Sequence, residues 1–153
     1  MSLRFSYGRL SFEQVRRFLM ETDEEFPTPL SLHVDIDAYA RKLSEFSDFS
    51  ICRDSEGIVG MISCYTNNPP VGYISNACVK TGYQGMGVFK NMFRLLVAKA
   101  KEKGIVIVRL EVDDENEKAL NVYIHSGFQV IEIRKDRNKL LLECLIPHLP
   151  TSL

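Results

Sequence analysis

The chain has 153 residues, a length typical of one domain whose core needs neither disulfides nor metal ions. It is 45% hydrophobic and 25% charged, as globular proteins are, and 19 basic and 20 acidic residues give a formal net charge of -1. This balance disfavours nucleic acid and acidic membranes as partners. No apolar run approaches the roughly 20 residues that span a bilayer, and no signal-peptide pattern is present. We therefore expect a single cytoplasmic domain over residues 1–153.

The four cysteines show neither a CxxC pair nor any other spacing typical of a metal site. Three of them lie in apolar, strand-like runs, which favours reduced and buried thiols over disulfides. We expect no bound metal. The four are Cys52, Cys64, Cys78 and Cys144.

The first half of the chain predicts two helices followed by strands. Ser11 and Gln14 form a capping box that opens the first helix, and the apolar residues after it follow a helical period. A polar, acidic loop at residues 21–30 precedes the second helix, near whose start Asp35 suits the helix dipole. Turn residues separate the β-rich runs that follow. The second helix is predicted at about residues 36–43, and strands at 49–53, 58–65 and 71–79.

The second half alternates helices and strands. Apolar residues from Phe89 to Ala100 recur with a helical period, and Gly104 ends this long amphipathic helix. Asp114 and Glu117 form a capping-box pattern that opens a further helix, which Gly127 ends. That helix is predicted at about residues 115–126, and strands at 105–112, 128–133 and 139–146.

The order of these elements predicts the fold class. The connection from the strand at 71–79 through the long helix to the strand at 105–112 is a crossover, which makes these two strands parallel. The other strands are joined as antiparallel hairpins. We expect an α/β fold of the α+β type, with a mixed, mostly antiparallel central sheet flanked by helices.

The loop before the long helix is rich in glycine, with three glycines in the six residues 82–87. Glycines allow backbone conformations that other residues avoid, and a helix N-terminus offers unpaired N–H groups and a positive dipole end. The loop thus predicts a phosphate site, although a tight turn without a ligand explains the glycines equally well. The residues after Gly87 do not match a P-loop, and Lys90 stands where a dinucleotide fingerprint needs its third glycine.

The run Gln84-Gly85-Met86-Gly87 resembles the acetyl-CoA pyrophosphate loop of the GNAT superfamily of N-acetyltransferases, whose pattern is Gln/Arg-x-x-Gly-x-Gly/Ala. The order and length of the elements agree over most of the chain. One departure is Phe89, which stands where the family has a small residue. Because the family mainly uses a backbone N–H there, we expect the Phe89 side chain to turn into the core. The following part of the chain is similar to the family's next segment, at Asn116, Ala119, Tyr123 and the pair Gly127-Phe128.

The resemblance implies a GNAT-like fold with acetyl-CoA as co-substrate. It implies that the pantetheine arm lies in a splay between the strand that ends at Val79 and the strand at 109–112, bonded by backbone groups as if it were another strand. The pyrophosphate would meet the glycine loop and the first turn of the long helix, and Asn116 would help to position the arm. The implied coenzyme-binding residues are Cys78, Val79, Gln84, Gly85, Met86, Gly87, Val88, Phe89, Lys90 and Asn116.

Tyr123 is the candidate general acid. It lies seven residues after Asn116 on the same helix face, two turns further towards the coenzyme sulfur. A phenol with a pKa of about 10 can protonate a departing thiolate with a pKa of about 8.5. The resemblance implies this role, because the family uses a tyrosine at this position. On spacing alone, a core tyrosine with its hydroxyl at the edge explains Tyr123 at least as well.

The general base is less evident from the sequence. Glu111 and Asp113 lie at the end of a predicted strand, and we take Glu111 as the candidate. A salt bridge for Glu111, a helix cap for Asp113 and a water chain as the base are alternatives of similar weight. Cys78 has no histidine partner within reach by sequence, so we expect direct transfer without a covalent intermediate.

The acceptor is weakly constrained. Residues 26–37 and 65–68 are expected to shape its pocket, where Asp35, Asp37 and either Glu24 or Glu25 would attract a cationic amine or simply form a solvated face. We predict an N-acetyltransferase acting on the primary amine of a small molecule. The alternatives are a protein N-terminal or lysine acetyltransferase and a non-catalytic acyl-CoA-binding module. The sequence leaves a homodimer open.

Overall fold

A computed structural model describes residues 2–146, so the predicted domain of residues 1–153 extends beyond the described part at both ends. The α-helices described are α1 (Phe12–Glu21), α2 (Ile36–Phe46), α3 (Val88–Glu102) and α4 (Glu117–His125). The strands are β1 (Arg4–Gly8), β2 (Asp48–Arg53), β3 (Ile58–Tyr65), β4 (Val71–Val79), β5 (Ile107–Asp113), β6 (Gln129–Arg134) and β7 (Lys139–Leu145). Short 3-10 turns lie at Asp23–Glu25, Leu30–Leu32, Thr81–Tyr83 and Lys135–Arg137.

The strands form a single seven-stranded sheet in the order β1-β2-β3-β4-β5-β7-β6. Among the strands of residues 2–146, only β4 and β5 pair in parallel, which confirms the predicted mixed, mostly antiparallel sheet. Strand β1 was not predicted. Its side chains are mostly exposed at the edge of the sheet, so its sequence lacks the apolar alternation that marks a half-buried strand.

Helix capping shows where local sequence decides the structure. The predicted capping box of α1 is confirmed, since Gln14 N donates to Ser11 Oγ at 3.2 Å and Ser11 N donates to Gln14 Oε1 at 2.9 Å. The predicted Asp114–Glu117 box is wrong. Helix α4 begins two residues later, where the Asn116 side chain accepts from Ala119 N at 3.2 Å.

The sheet carries helices on both faces. On one face, α3 and α4 pack over a buried cluster that includes Met92, Phe93 and Leu96. On the other face, α1 and α2 pack over a cluster that includes Phe18 and Leu43. Full burial of a side chain of this size stabilises a fold by about 1.5–3 kcal/mol. The second cluster draws its strand residues from β2, β3 and β4, so within residues 2–146 it stops short of β5, β7 and β6.

The parallel pair β4–β5 comes apart along its length. Pairing runs from Val71↔Ile107 to Ile74↔Leu110 and then stops, although β4 continues to Val79 and β5 to Asp113. Residues 75–79 of β4 therefore have no ladder partner on the β5 side. Unpaired strand backbone inside a fold needs another hydrogen-bonding partner, so this gap is a natural place for a ligand.

Three further observations bear on the class of protein. All four cysteines are buried and free of disulfides. Residues 2–146 contain no group of three or more His, Cys, Asp or Glu side chains placed to hold a metal ion. Over the same residues, no helix combines the length and the apolar character needed to cross a bilayer.

Candidate active site

A cavity of about 670 Å³ lies at the gap between β4 and β5. It is lined by the end of β4, the glycine loop, the first turn of α3 and one side of α4. Its size is that of a small-molecule or cofactor site. Met86 is about half exposed and lies outside the lining. The predicted coenzyme residues in the lining are Cys78, Val79, Gln84, Gly85, Gly87, Val88, Phe89, Lys90 and Asn116.

The N-terminus of α3 is left open by its cap. Its N-cap is Gly87, with a left-handed φ of 75° and no side chain to accept from the first-turn N–H groups. The first backbone bond of the helix runs from Asn91 N to Gly87 O, so the N–H groups of residues 88–90 stay unpaired within the helix. In α1, α2 and α4 a Ser, Asp or Asn side chain caps the same position. Helix α3 thus offers its N–H groups and dipole to an external anion.

Side-chain hydrogen bonds connect the glycine loop to several other segments of the fold. The Tyr83 hydroxyl donates to Asp54, and this hydrogen bond lowers the pKa of the Asp54 carboxyl. Thr81 donates to Glu25 through its hydroxyl. The Gln84 side chain donates to Val79 O at 2.9 Å and accepts from Lys118 of α4. These contacts hold the loop in place around the open end of α3.

Phe89 turns into the core, as expected from the sequence. Its ring stacks on Phe93, with 5.7 Å between the centroids, and meets the Tyr123 ring edge-on at 5.6 Å. Phe128 contacts the other side of the Tyr123 ring at 5.8 Å. The residue that departs from the family pattern therefore helps to fix the orientation of the candidate acid.

Tyr123 lines the cavity from α4 and is half-buried. Its hydroxyl has no hydrogen-bond partner among residues 2–146. Burial, reinforced by the neighbouring Cys78, raises the pKa of Tyr123 to about 12, so the phenol is protonated at neutral pH and is able to donate. Burial also raises the pKa of the Cys78 thiol to about 12. A thiol held in this form is a poor nucleophile, in agreement with the predicted direct transfer.

Glu111 follows Leu110, the last residue of β5 that pairs with β4. It therefore lies at the closed end of the gap, where the two strands are still joined. Because Leu110 and Val112 are buried under α3 and α4, Glu111 projects from the opposite face of the sheet. Its Oε2 accepts from Arg134 at 2.6 Å and from Arg137 at 2.7 Å. Glu111 is outside the lining of the cavity, so Tyr123 and Glu111 lie on opposite faces of the sheet with the gap between them.

Of the acidic residues considered for the acceptor, Glu25 alone faces the cavity. Asp35 caps α2 by accepting from Ala38 N at 3.1 Å, and Asp37 pairs with Arg16 at 2.6 Å. Glu24 is exposed. Two of the four candidate carboxylates therefore stabilise the helices rather than a ligand.

Several lining residues were not predicted as site residues, among them Tyr83, Lys118 and His125. Lys118 and His125 are ordinary polar positions of an exposed helix, and no local pattern sets them apart. Tyr83 follows Gly82, and only its contact with Asp54, 29 residues away in the sequence, distinguishes it from other loop residues. These residues can be identified only from the tertiary structure.

An open helix N-terminus, an unpaired strand edge and a half-buried phenol meet in one cavity, which suits an extended ligand with an anionic end. The Acetyltransferase (GNAT) family model matches residues 12–128. This match covers more than half of the chain, and the chain belongs to the GNAT family of acetyltransferases.

Individual relatives are more distant. The chain is 34% identical to GCN5-related N-acetyltransferase 6, chloroplastic, from Arabidopsis thaliana over 64 residues, which are 42% of this chain and only 22% of that protein. Among solved structures, the PaiA N-acetyltransferase of Thermoplasma acidophilum in complex with coenzyme A superposes with a TM-score of 0.74 at 16% identity, over 95% of this chain and 99% of that chain. The ribosomal-protein-S18-alanine N-acetyltransferase of Escherichia coli gives 0.73 at 16% identity, over 98% and 99%. These two likenesses establish the fold.

Proposed function

We propose that the protein transfers an acetyl group from acetyl-CoA to the primary amine of a small molecule. The observation that carries this proposal is the placement of the open N-terminus of α3 and the Tyr123 hydroxyl in one cavity, at the gap between β4 and β5. The coenzyme complex of the Thermoplasma acidophilum protein, which shares the fold, supports coenzyme A as the cofactor.

The pyrophosphate binds at the glycine loop, where the N–H groups of residues 88–90 and the helix dipole stabilise its charge. The pantetheine arm lies along residues 75–79 of β4 and supplies the hydrogen bonds that β5 does not. This arrangement brings the thioester to the closed end of the gap, beside Ile74 and Leu110.

In the reaction, the amine nitrogen attacks the thioester carbonyl carbon and the carbon–sulfur bond breaks. The amine loses a proton on the Glu111 face of the sheet, with Glu111 or a water held by it as the acceptor. The sulfur leaves as a thiolate and takes a proton from the Tyr123 hydroxyl, and the resulting phenolate regains a proton from solvent before the next turnover. No bond to the enzyme forms, because alignment of the two substrates suffices for aminolysis of a thioester.

A pKa of about 12 suits Tyr123 to this role despite being high for an acid. The thiolate appears in the same desolvated cavity, and desolvation raises thiol pKa values too, as it does for the adjacent Cys78. Desolvation therefore raises the proton affinity of the thiolate together with that of the phenolate, which favours proton transfer between them.

The proposal is tested by incubating the protein with acetyl-CoA and a panel of amines while monitoring the free thiol that is released. The panel includes amino acids, amino sugars and polyamines, together with a peptide that carries a free N-terminus and a lysine. Turnover of small amines supports the proposal. Turnover of the peptide alone would make the protein a protein acetyltransferase, and coenzyme binding without any turnover would make it an acyl-CoA-binding module.

A further inference from the structure

A second cavity, of about 370 Å³, lies beside the closed end of the gap. It is on the sheet face opposite α3 and α4, where the cluster under α1 and α2 stops at β4. Its lining includes Tyr73 and Arg109, which pair with each other one residue before the parallel ladder ends at Ile74↔Leu110. At about 3.3 Å per residue, this places it a few ångströms from the point that the thioester reaches. The polar lining residues are Tyr65, Asn67, Asn68, Tyr73, Arg109 and Arg134.

The polar lining consists of groups that can donate hydrogen bonds, and its described residues include no carboxylate. Arg109 uses Nε to bind Glu143 Oε2 at 2.8 Å, and Arg134 uses Nε and Nη1 to bind Glu132 and Glu111. Both Nη atoms of Arg109 and one of Arg134 have no partner within residues 2–146. The glutamates lie outside the lining and hold the two guanidinium groups, so the remaining N–H donors are left for the cavity.

A second observation also points to a ligand. The Tyr65 hydroxyl oxygen is buried beside Ser75, whose own hydroxyl bonds Tyr39, and it makes no hydrogen bond of ordinary geometry with the described residues. Buried hydroxyls are rarely left in this state, because an unsatisfied polar group costs free energy that a partner would recover. Since Tyr65 lines the cavity, an acceptor oxygen bound there would supply that partner.

We propose that this second cavity binds a carboxylate on the acceptor, so that the substrate is an amine of the amino-acid type. This inference rests on the proposed acetyl transfer. A carboxylate matches the planar fork of a guanidinium through two parallel hydrogen bonds, and a cationic group such as a second amine would meet two arginines instead. Polyamines and neutral amino sugars are therefore poor acceptors.

The test compares acceptors that differ in one group. Glycine, β-alanine, 4-aminobutyrate and 6-aminohexanoate are each assayed against the alkylamine of the same chain length and against the matching aminoalkyl phosphonate. We expect the best amino acid to exceed its alkylamine in kcat/KM by about tenfold to a hundredfold, the range for hydrogen bonds to a charged group. The phosphonates distinguish a carboxylate site from a general anion site. Equal kcat/KM for amino acids and alkylamines, or a preference for phosphonates, overturns the proposal.

Two variants of one ion pair separate ligand binding from structural support. Arg109→Gln removes the charged guanidinium fork and should abolish the preference for amino acids. Glu143→Gln breaks the same pair but frees the Arg109 guanidinium, so it should raise kcat/KM for amino acids and leave alkylamines unchanged. A purely structural pair would make both variants lower the activity towards both kinds of acceptor. Arg53→Gln, whose guanidinium binds Ser6 Oγ at 3.0 Å on the β1–β2 side of the sheet, is the charge-matched control.

The outcomes also separate this inference from the function on which it rests. If no amine is acetylated, the proposed function fails. Calorimetry of 6-aminohexanoate with the coenzyme A complexes of wild type and Arg109→Gln then tests whether the second cavity binds a carboxylate. Binding that weakens at least tenfold in Arg109→Gln supports a carboxylate site. Binding that is absent in wild type, or equal in both proteins, excludes it.

Discussion

The two cavities of this protein are built in different ways, although they meet at the same break in the sheet. The larger cavity offers backbone N–H groups, an unpaired strand edge and apolar side chains, mostly from two segments of the chain, residues 77–90 and 116–126. The smaller one presents guanidinium, phenol and amide groups from the β3–β4 turn and from strands β3 to β6. The larger cavity therefore corresponds to a local sequence motif, whereas the smaller cavity does not. A site built from backbone groups also tolerates changes of side chain that a site built from side chains does not.

The largest expected effect is on chemistry in the backbone-built cavity. Tyr123→Phe keeps the ring that packs against Phe89 and Phe128 and removes only the hydroxyl. General acid catalysis contributes about 10²–10⁴-fold, so kcat should fall within that range. The dissociation constant for acetyl-CoA should change little, because the lost proton acts on charge that appears only as the thiolate leaves.

The pH dependence of the wild type checks the same assignment. A pKa of about 12 keeps Tyr123 protonated through the range in which the protein is assayed, so kcat should show no alkaline decline from this residue below about pH 10. An unchanged kcat in Tyr123→Phe, measured where chemistry limits the rate, would return Tyr123 to a packing role and leave water as the acid.

The next effect concerns the open end of α3. Gly87→Asp places a carboxylate at the N-cap, where it competes with phosphate for the N–H groups and repels it. Like-charge contacts cost several kcal/mol, so the affinity for acetyl-CoA should fall by about a hundredfold. In wild type, ligand at about 100 times its dissociation constant adds about 2.7 kcal/mol, or about 5–10 °C in melting temperature. That shift should vanish in the variant.

Gly82→Asp controls for the charge added to the loop, whereas the left-handed φ of 75° at Gly87 adds backbone strain that Gly82 does not share. Gly82 belongs to the same loop, lies outside the cavity lining, and has open space where a Cβ would be placed. It should keep the thermal shift of wild type. Loss of the shift in both variants would mean that the loop responds to charge in general and that the N-cap has no special part in binding.

The sequence predicted the lining of the larger cavity better than that of the smaller one, for a physical reason. The capping box at Ser11, the apolar stripe of α3 and the glycine at its N-cap are local patterns that depend on neighbours within a few residues. Strand β1 was missed because most of its side chains are exposed, and the start of α4 was misplaced because Asp114 and Asn116 are both good caps.

The smaller cavity depends on contacts between residues that are far apart in sequence. Arg109 meets Glu143 across 34 residues, and Glu111 meets Arg134 across 23. Charged residues of this kind are usually solvated, so their spacing alone gives no reason to group them. Only the pairing of β5 with β7, and of β7 with β6, brings them to one surface.

A third prediction concerns a polar cluster that serves the fold and not the cavities. Asp48, at the start of β2, is buried and accepts from Tyr7 at 2.6 Å, from Thr66 at 2.9 Å and from Lys103. Burial opposes ionisation of Asp48, but these partners outweigh it, so its pKa is lowered. Asp48→Asn should cost about 2 kcal/mol, the range for hydrogen bonds to a charged group, and about 4–8 °C in melting temperature.

The sign of this effect with pH follows from the lowered pKa. Stability from Asp48 is fully present above the unfolded pKa of about 3.9 and is lost as the pH falls through the folded value. The gap in stability between wild type and Asp48→Asn should therefore be constant near neutral pH and close below about pH 4. Asp37→Asn, which breaks an exposed pair with Arg16, is the control and should cost less than about 0.5 kcal/mol. Equal losses in the two variants would contradict the special role of the buried cluster.

The smallest expected effect tests whether the charge of a lysine side chain strengthens coenzyme binding at the N-terminus of α3. Lys118 reaches from α4 to Gln84 at the mouth of the coenzyme cavity and is exposed to solvent. Exposed charge interactions contribute about 0.2–1 kcal/mol, so Lys118→Ala should weaken acetyl-CoA binding by only about twofold to fivefold. The difference should shrink at 1 M salt, where the Debye length is about 3 Å. Lys99→Ala, an exposed position near the far end of α3, should match wild type. A hundredfold loss in Lys118→Ala would mean that a side-chain charge, and not the open helix end, holds the phosphates.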